Sequence, residues 1–397
     1  MTTVFPFAAN LWASPYQITR EYRTEIITSR AGKEQRRALR NDPRKNVRFL
    51  ASFTGDCLRE FERQMTQAQR FQRLLADRVK FHTLTATFAN GANSLTVSPV
   101  PEWIVEDAEL VLSYGSTQEG RTVASVVGTT VTFVESNTAD WLAGTRLHAG
   151  LIGWVSPSII APNLSPRGVR QASIEFDEKP GTSEAEGVGS ATTTLGGRDV
   201  FLRKPDVWQP METTFAAEGV GEVDFGFGTT ERYFMHEYPT RLWNASYTNC
   251  SVAKATEIEQ MFNRLQGRRG EFYMPTWAPD LVPVAGIASA GTTITVEGTG
   301  VDTSYDGSTV YKGVAVRKTN GDWLVNTVSS IAPSGGNSVI TVGTGWSETV
   351  ALADIDMVCW LPVWRFATDS LTMVWVRETV AQTRLSLQMI EALAVES

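Results

Sequence analysis

The chain repeats itself, and that limits it to folds that tolerate an internal duplication. Ala51-Ser52-Phe53-Thr54 returns as Ala245-Ser246-Tyr247-Thr248. Phe71-Gln72-Arg73-Leu74 returns as Phe262-Asn263-Arg264-Leu265, with Arg78 and Phe81 matched by Arg269 and Phe272. Val4-Phe5, with Trp12 eight positions after Val4, returns as Val200-Phe201 with Trp208. The offsets are 194, 191 and 196 positions, so two units of similar length lie in tandem in 397 residues. Catalysis rarely needs two copies of a scaffold, whereas rings, tubes and adaptors often use them.

Each unit follows one plan. Tyr22–Thr28 alternates as a strand, Arg30-Ala31-Gly32-Lys33-Glu34 turns, and a charged return strand completes a hairpin. A strand through Val47–Phe53 precedes a helix expected from about Asp56 to Arg78, with Leu58, Phe61, Met65, Ala68, Phe71 and Leu75 on one stripe. From Phe81 to Trp154, Gly, Ser, Thr and Val dominate in short alternating runs, which predicts a small all-β module. Ala172–Phe176 then re-enters the first sheet. The second unit repeats this with strands at Val223–Phe227 and Thr240–Tyr247. Ser251 caps a helix carrying Ala255, Ile258, Met261, Phe262 and Leu265. A second β module and the closing strands Leu371–Val376 and Thr383–Leu387 follow.

The fold class expected is mainly β with a few helices (α+β). Residues 1–80 and 155–178 form the first β body and 81–154 its inserted sandwich or barrel module. A polar linker spans 179–197. Residues 198–284 and 361–397 form the second body, with 285–360 inserted.

Little in the sequence points to chemistry. His82, His148 and His236 stand in no metal-ligand spacing, and neither a GxSxG elbow nor a GxxxxGK[ST] loop occurs. Gly219-Val220-Gly221 and Gly226 read as a turn, because Asp224 holds the third glycine place of the dinucleotide fingerprint. Asp354 and Asp356, flanking Ile355, could present a carboxylate pair but lack a third ligand. Three cysteines argue against a disulfide framework, and Cys57 and Cys250 read as equivalent small residues before a helix. Among twelve tryptophans, Trp103, Trp141, Trp323, Trp346, Trp360 and Trp364 could stack on sugars, although core packing explains them as well. Asn244-Ala245-Ser246 fits the glycosylation pattern inside an expected strand. No apolar run reaches the ~18–20 residues of a membrane span, and the N-terminus lacks a signal-peptide pattern, so cytoplasmic synthesis is expected. No cofactor, metal or catalytic residue is expected.

Charge is uneven. Residues 1–80 hold 16 Lys+Arg against 8 Asp+Glu, so with a net −7 the remainder carries −15. Such asymmetry suits contacts between copies, or a basic face toward an acidic neighbour.

Two segments remain. One is Glu25-Ile26-Ile27-Thr28-Ser29-Arg30-Ala31-Gly32-Lys33-Glu34-Gln35-Arg36-Arg37; the other runs from Arg264 through Arg268-Arg269-Gly270-Glu271-Phe272-Tyr273 to Trp277. Together they resemble tail-tip proteins of long-tailed bacteriophages and gene transfer agents. Those proteins show an E-x-x-T-S-x-x-G-x-E-x-R hairpin and a helix ending in an Arg-Arg-Gly-x-Phe turn. The hairpin pattern lies only in the first unit and the turn only in the second, and the resemblance covers about half the chain without the inserted modules. It implies a tail-tube-like β body with a flanking helix, in a distal tail or baseplate-hub ring of the virion. That ring would be a trimer with pseudo-sixfold symmetry or a hexamer. Its partners would be the tail tube protein, the hub, and fibres or receptor-binding proteins, with DNA passing through the channel unbound and no membrane insertion. Arg23, Arg30, Arg36, Arg37, Arg268, Arg269, Phe272 and Trp277 are the candidate assembly-interface residues. The competing reading is a carbohydrate-binding adhesin of the tail; a wall-degrading enzyme would need a catalytic dyad that the sequence does not display.

Overall fold

Alternation along Arg44–Phe53 buries Lys45, Val47, Phe49, Ala51 and Phe53 on one face, and a sheet grows from that strand. The computed structural model describes residues 3–6, 9–10, 15–28, 34–67, 72–115, 117–156, 163–165, 168–179, 189–206, 212–216, 220–228, 230–234 and 240–390. Strands make up 53% of the chain and helices 12%, so the protein is mainly β, with one large mixed sheet and smaller ones.

In the first half the elements are β1 (Thr3–Val4), β2 (Tyr16–Glu21), β3 (Thr24–Thr28), β4 (Glu34–Ala38), β5 (Arg44–Phe53), α1 (Gly55–Gln67) and β6 (Arg73–Thr83). They are followed by β7 (Arg146–Val155), β8 (Asn163–Ser165) and β9 (Val169–Glu178). The second half has β10 (Arg198–Val200), β11 (Glu212–Ala216), β12 (Val220–Asp224), β13 (Thr230–Phe234), β14 (Thr240–Ser251) and α2 (Val252–Leu265). Its last strands are β15 (Phe272–Tyr273), β16 (Val363–Phe366), β17 (Ser370–Arg377) and β18 (Val380–Met389).

The order of neighbours is the same in both halves. In the first it runs β1, β6, β7, β9, β5, β2; in the second, β10, β15, β16, β18, β14, β11. The first pair is parallel in each case, Val4 beside Leu74 and Val200 beside Tyr273. A hairpin separates the strands before each helix, β3–β4 in one half and β12–β13 in the other. β8 pairs with the start of β9 as β17 pairs with the start of β18. The halves join edge to edge, since β17 also pairs antiparallel with β2, from Ser370 beside Glu21 to Trp375 beside Tyr16. One apolar core, including Phe53, Phe61, Phe262 and Trp364, runs through both.

Between β6 and β7, a separate core gathers Leu84, Val97, Leu112, Phe133 and Trp141. Between β15 and β16 another gathers Leu281, Val296, Val316, Ile340 and Trp360 under a five-stranded sheet.

The structure corrects several expectations. α1 ends at Gln67, and Arg73–Arg78, expected inside the helix with Leu75 on its apolar stripe, belong to β6. Every residue of β6 from Arg73 to Val79 is buried, so a strand covered on both faces imitates a helical stripe. The match of Arg73-Leu74 to Arg264-Leu265 therefore joins a strand to a helix, whereas Ala51/Ala245 and Val4/Val200 occupy corresponding strands. Cys57 lies within α1 and Cys250 within β14, so they are not equivalent. β12 starts at Val220 and ends at Asp224, which puts Gly221 in a strand and leaves Gly226 (φ 72°) for the turn. Trp12, Phe71, Trp208, His236, the β3–β4 turn at 29–33 and residues 180–188 of the expected linker lie outside the described residues.

Candidate functional site: the junction between the halves

α2 starts where the Ser251 side chain accepts the Lys254 N–H. It buries Ala255, Ile258, Met261, Phe262 and Leu265, and on the same side it buries two polar residues, Glu259 and Asn263. Its end is sharp: Gln266 and Gly267 both take left-handed backbone (φ 52° and 66°), and the Gly270 N–H returns to the Leu265 carbonyl at 2.8 Å. A Cβ on Gly267 would lie 2.7 Å from Asp369 Oδ1 and 3.2 Å from Tyr22 Cβ, so only glycine permits the close approach that follows.

That approach is made by the segment Arg20–Thr24 of the first half. Arg20 Nη1 donates to Glu259 Oε1 at 2.8 Å, and the Tyr22 hydroxyl donates to Asn263 Oδ1 at 3.3 Å. Thr24 donates its N–H (2.7 Å) and its hydroxyl (2.9 Å) to Asp369, whose Oδ1 also accepts the Arg268 N–H at 2.9 Å. The Tyr22 N–H reaches the Asp369 carbonyl at 2.9 Å. The match is one of periods. Alternate residues of an extended chain repeat about every 6.6 Å, and positions four apart on a helix about every 6 Å. Residues 20, 22 and 24 therefore lie in step with Glu259, Asn263 and the Gly267 turn.

Next to this line the β3–β4 hairpin meets the Arg-Arg-Gly turn in a chain of alternating charges. Arg365 Nη2 reaches Glu34 Oε1 at 3.1 Å, and Glu34 Oε2 takes Arg36 at 2.9 Å. Arg36 Nη1 contacts Glu271 Oε1 at 3.1 Å, and Glu271 Oε2 takes Arg198 Nε at 2.9 Å. Arg36 and Arg365 side chains are each only 3% exposed, so these pairs are desolvated and depend on one another. Burial lowers the Arg365 pKa from the usual guanidinium value; Glu34 opposes that shift, while Arg36 and Arg268 add to it.

The residues expected at an assembly interface divide. Arg36 is committed to the ion chain, Arg268 is half-buried beside Asp369, and Phe272 is fully buried against Phe201 and Phe366. Trp277 is half-buried, edge-on to Trp323 at 5.4 Å. These four serve contacts inside the chain, and Phe272 offers nothing to a neighbour. Arg23, Arg37 and Arg269 are exposed, and Arg30 lies outside the described residues. The sequence motifs did lead to the junction, but sequence reasoning missed Arg20, Glu259, Asn263, Asp369, Glu271, Arg198 and Arg365. The readable signal was Glu259 and Asn263, two polar positions four apart on an otherwise apolar helix face.

Elsewhere, polar groups are accounted for structurally. His148 Nδ1 donates to the Asp77 carbonyl at 2.8 Å, which leaves Nε2 to accept from the Ser113 hydroxyl at 3.0 Å. Ser113 and His148 are 5% and 0% exposed, and the partner at Nδ1 is a carbonyl, so the pair sits inside the sheet without access to a substrate. Asp354 closes a 3-10 turn and Asp356 lies on the strand after it, where Arg317 holds it at 3.0 Å, so the two do not share a strand face as expected. A cavity of about 350 Å³ is lined by Glu109, Glu119 and Glu135, but Arg121 pairs with Glu119 and Glu135. Trp141, Trp346, Trp360 and Trp364 are buried and present no ring to a sugar. Among the described residues no cluster of three His, Cys, Asp or Glu could hold a metal ion, and no helix is long and apolar enough to cross a membrane. No protein-family model and no curated protein matches the chain.

Proposed function

We propose that this chain is a structural component of a bacteriophage tail tip, a distal tail or baseplate-hub ring that links the tail tube to hub, fibres or receptor-binding proteins. On this reading each half is a tail-tube-like strand–strand–helix body with a small β module inserted, and the two are a tandem duplication. The observation that carries it is the junction. The two segments that resemble tail-tip proteins, 220 or more positions apart in sequence, meet as one interface between bodies joined through a shared sheet edge. Bodies placed side by side in one sheet favour a single-layer ring, in which three chains supply six bodies and match a sixfold tube to a threefold hub. DNA would traverse the channel without specific contacts, and no cofactor is required. Four of the six tryptophans considered for sugar stacking are buried, which counts against the adhesin reading.

Native mass spectrometry at micromolar concentration tests the ring, with an expected mass of three chains. A monomer would sink it. Immunogold labelling of virions that carry the protein should mark the distal end of the tail, and label confined to the head or absent from virions would overturn the tail-tip assignment.

A further inference from the structure

Each half carries the counterpart of what the other half uses at the shared edge. β2 lies between β5 and β17, whereas its counterpart β11 pairs with β14 and, among the described residues, with no strand beyond. β17 lies between β18 and β2, whereas its counterpart β8 pairs, among the described residues, with β9 alone. The hairpin β3–β4 docks on the turn after α2 through Arg36. Its counterpart β12–β13 is paired within itself and exposes Val223, Phe225, Phe227 and Tyr233, with Phe227 92% exposed. An open sheet edge beside an exposed aromatic hairpin is a surface that soluble proteins normally cover.

We propose that a second copy of this chain covers it: β11 of one chain pairs with β8 of the next, and the β12–β13 hairpin lies over the α1 end of that neighbour. This repeats between chains the arrangement that β2, β17 and β3–β4 hold within one. The joined surfaces differ, so the contact is heterologous and propagates from chain to chain until it closes. Backbone ladder bonds supply part of the affinity, and the aromatic hairpin supplies the rest. The inference rests on the ring reading above and names the seam that builds it.

The test is a Phe225→Ser, Phe227→Ser double variant, compared with wild type by native mass spectrometry across a dilution series. Both side chains are more than half exposed in the single chain, so the variant should retain the wild-type circular dichroism and melting temperature. The expected result is a rise of at least tenfold, in order of magnitude, in the concentration of half-assembly. Hydrogen exchange supplies the second reading: the amides of β8 and β11 that are not bonded to β9 and β14 should be protected in the wild-type assembly and exchange fast in the dissociated variant. If the wild type is itself monomeric, the ring reading fails. If the wild type assembles, the variant assembles equally well and those β8 and β11 amides stay fast, the ring survives and the seam proposed here is overturned.

Discussion

Arg20 and Glu259 provide the sharpest probe of whether the halves are held together where the structure joins them. The pair spans 239 positions at 2.8 Å, with side chains 1% and 9% exposed. At that separation, an effective dielectric near 20 gives an attraction of about 6 kcal/mol, most of which offsets the cost of removing both charges from water. Replacing either partner removes the buried counter-charge that faces the other. Arg20→Met or Glu259→Leu alone should therefore destabilise the β2–α2 contact by about 3–5 kcal/mol. The Arg20→Met, Glu259→Leu double variant removes both charges of the pair and should recover to within about 1–2 kcal/mol of wild type, a coupling of several kcal/mol. A chain with several cores need not unfold in one step, so hydrogen exchange of β2 and α2 peptides under native conditions is the suitable assay. Single-variant losses below about 1 kcal/mol, or losses that simply add in the double variant, would refute the reasoning. The pair would then behave like a solvated surface contact.

Three further outcomes are expected. Burial holds the His148 imidazole down at about 4, against the pull of the Asp77 carbonyl and with Arg146 and Arg78 adding repulsion; the unfolded chain binds that proton first, so stability should fall by up to about 3 kcal/mol as pH drops from 6.5 to 4. Denaturant midpoints across this window should show that component of the slope missing in His148→Gln. Gly153→Ala should destabilise by about 1–3 kcal/mol or more in chemical denaturation, because a Cβ there would sit 2.0 Å from the Asp177 carbonyl oxygen of β9. Cys250 and Cys359 are buried, and burial pushes the Cys359 thiol up to about 12, so a thiol reagent should modify only Cys57 in the native protein and all three cysteines after denaturation.

The sequence carried the parts of the fold whose periodicity is local. Alternation gave Val47–Phe53, Ala172–Phe176, Leu371–Val376 and Thr383–Leu387 their strands, and Ser251 with its apolar stripe gave α2 its start. The β3–β4 hairpin was legible in its flanking strands. Its counterpart β12–β13 was not, because that segment shares the position and not the motif. β6 reads as a helix because both of its faces are covered, and two of its charged residues have distant partners: Asp77 lies 4.0 Å from Lys45, and Arg78 lies 4.6 Å over the Phe49 ring. The junction was half legible for a related reason. Arg36 and Arg269 belong to recognisable motifs, but Arg20, Asp369 and Arg365 acquire meaning only when strands from opposite ends of the chain become neighbours.

The two hairpins diverge in a way that fits their different tasks on the proposed reading. β3–β4 meets its partner within one chain, where the linkage keeps the local concentration high and association costs little entropy. A desolvated ion chain such as Arg365, Glu34, Arg36, Glu271 and Arg198 adds little net stability, but it rejects any other register by leaving a charge unpaired. β12–β13 would have to meet a separate chain from solution, where translational and rotational freedom is lost on contact. Charges that must first shed water are poorly suited to supply that free energy. Aromatic side chains such as Phe225 and Phe227 are well suited, since each buries a large apolar area for few lost rotamers. On that reading duplication would have supplied the same hairpin twice, and the connectivity at each seam would have determined which chemistry it could use.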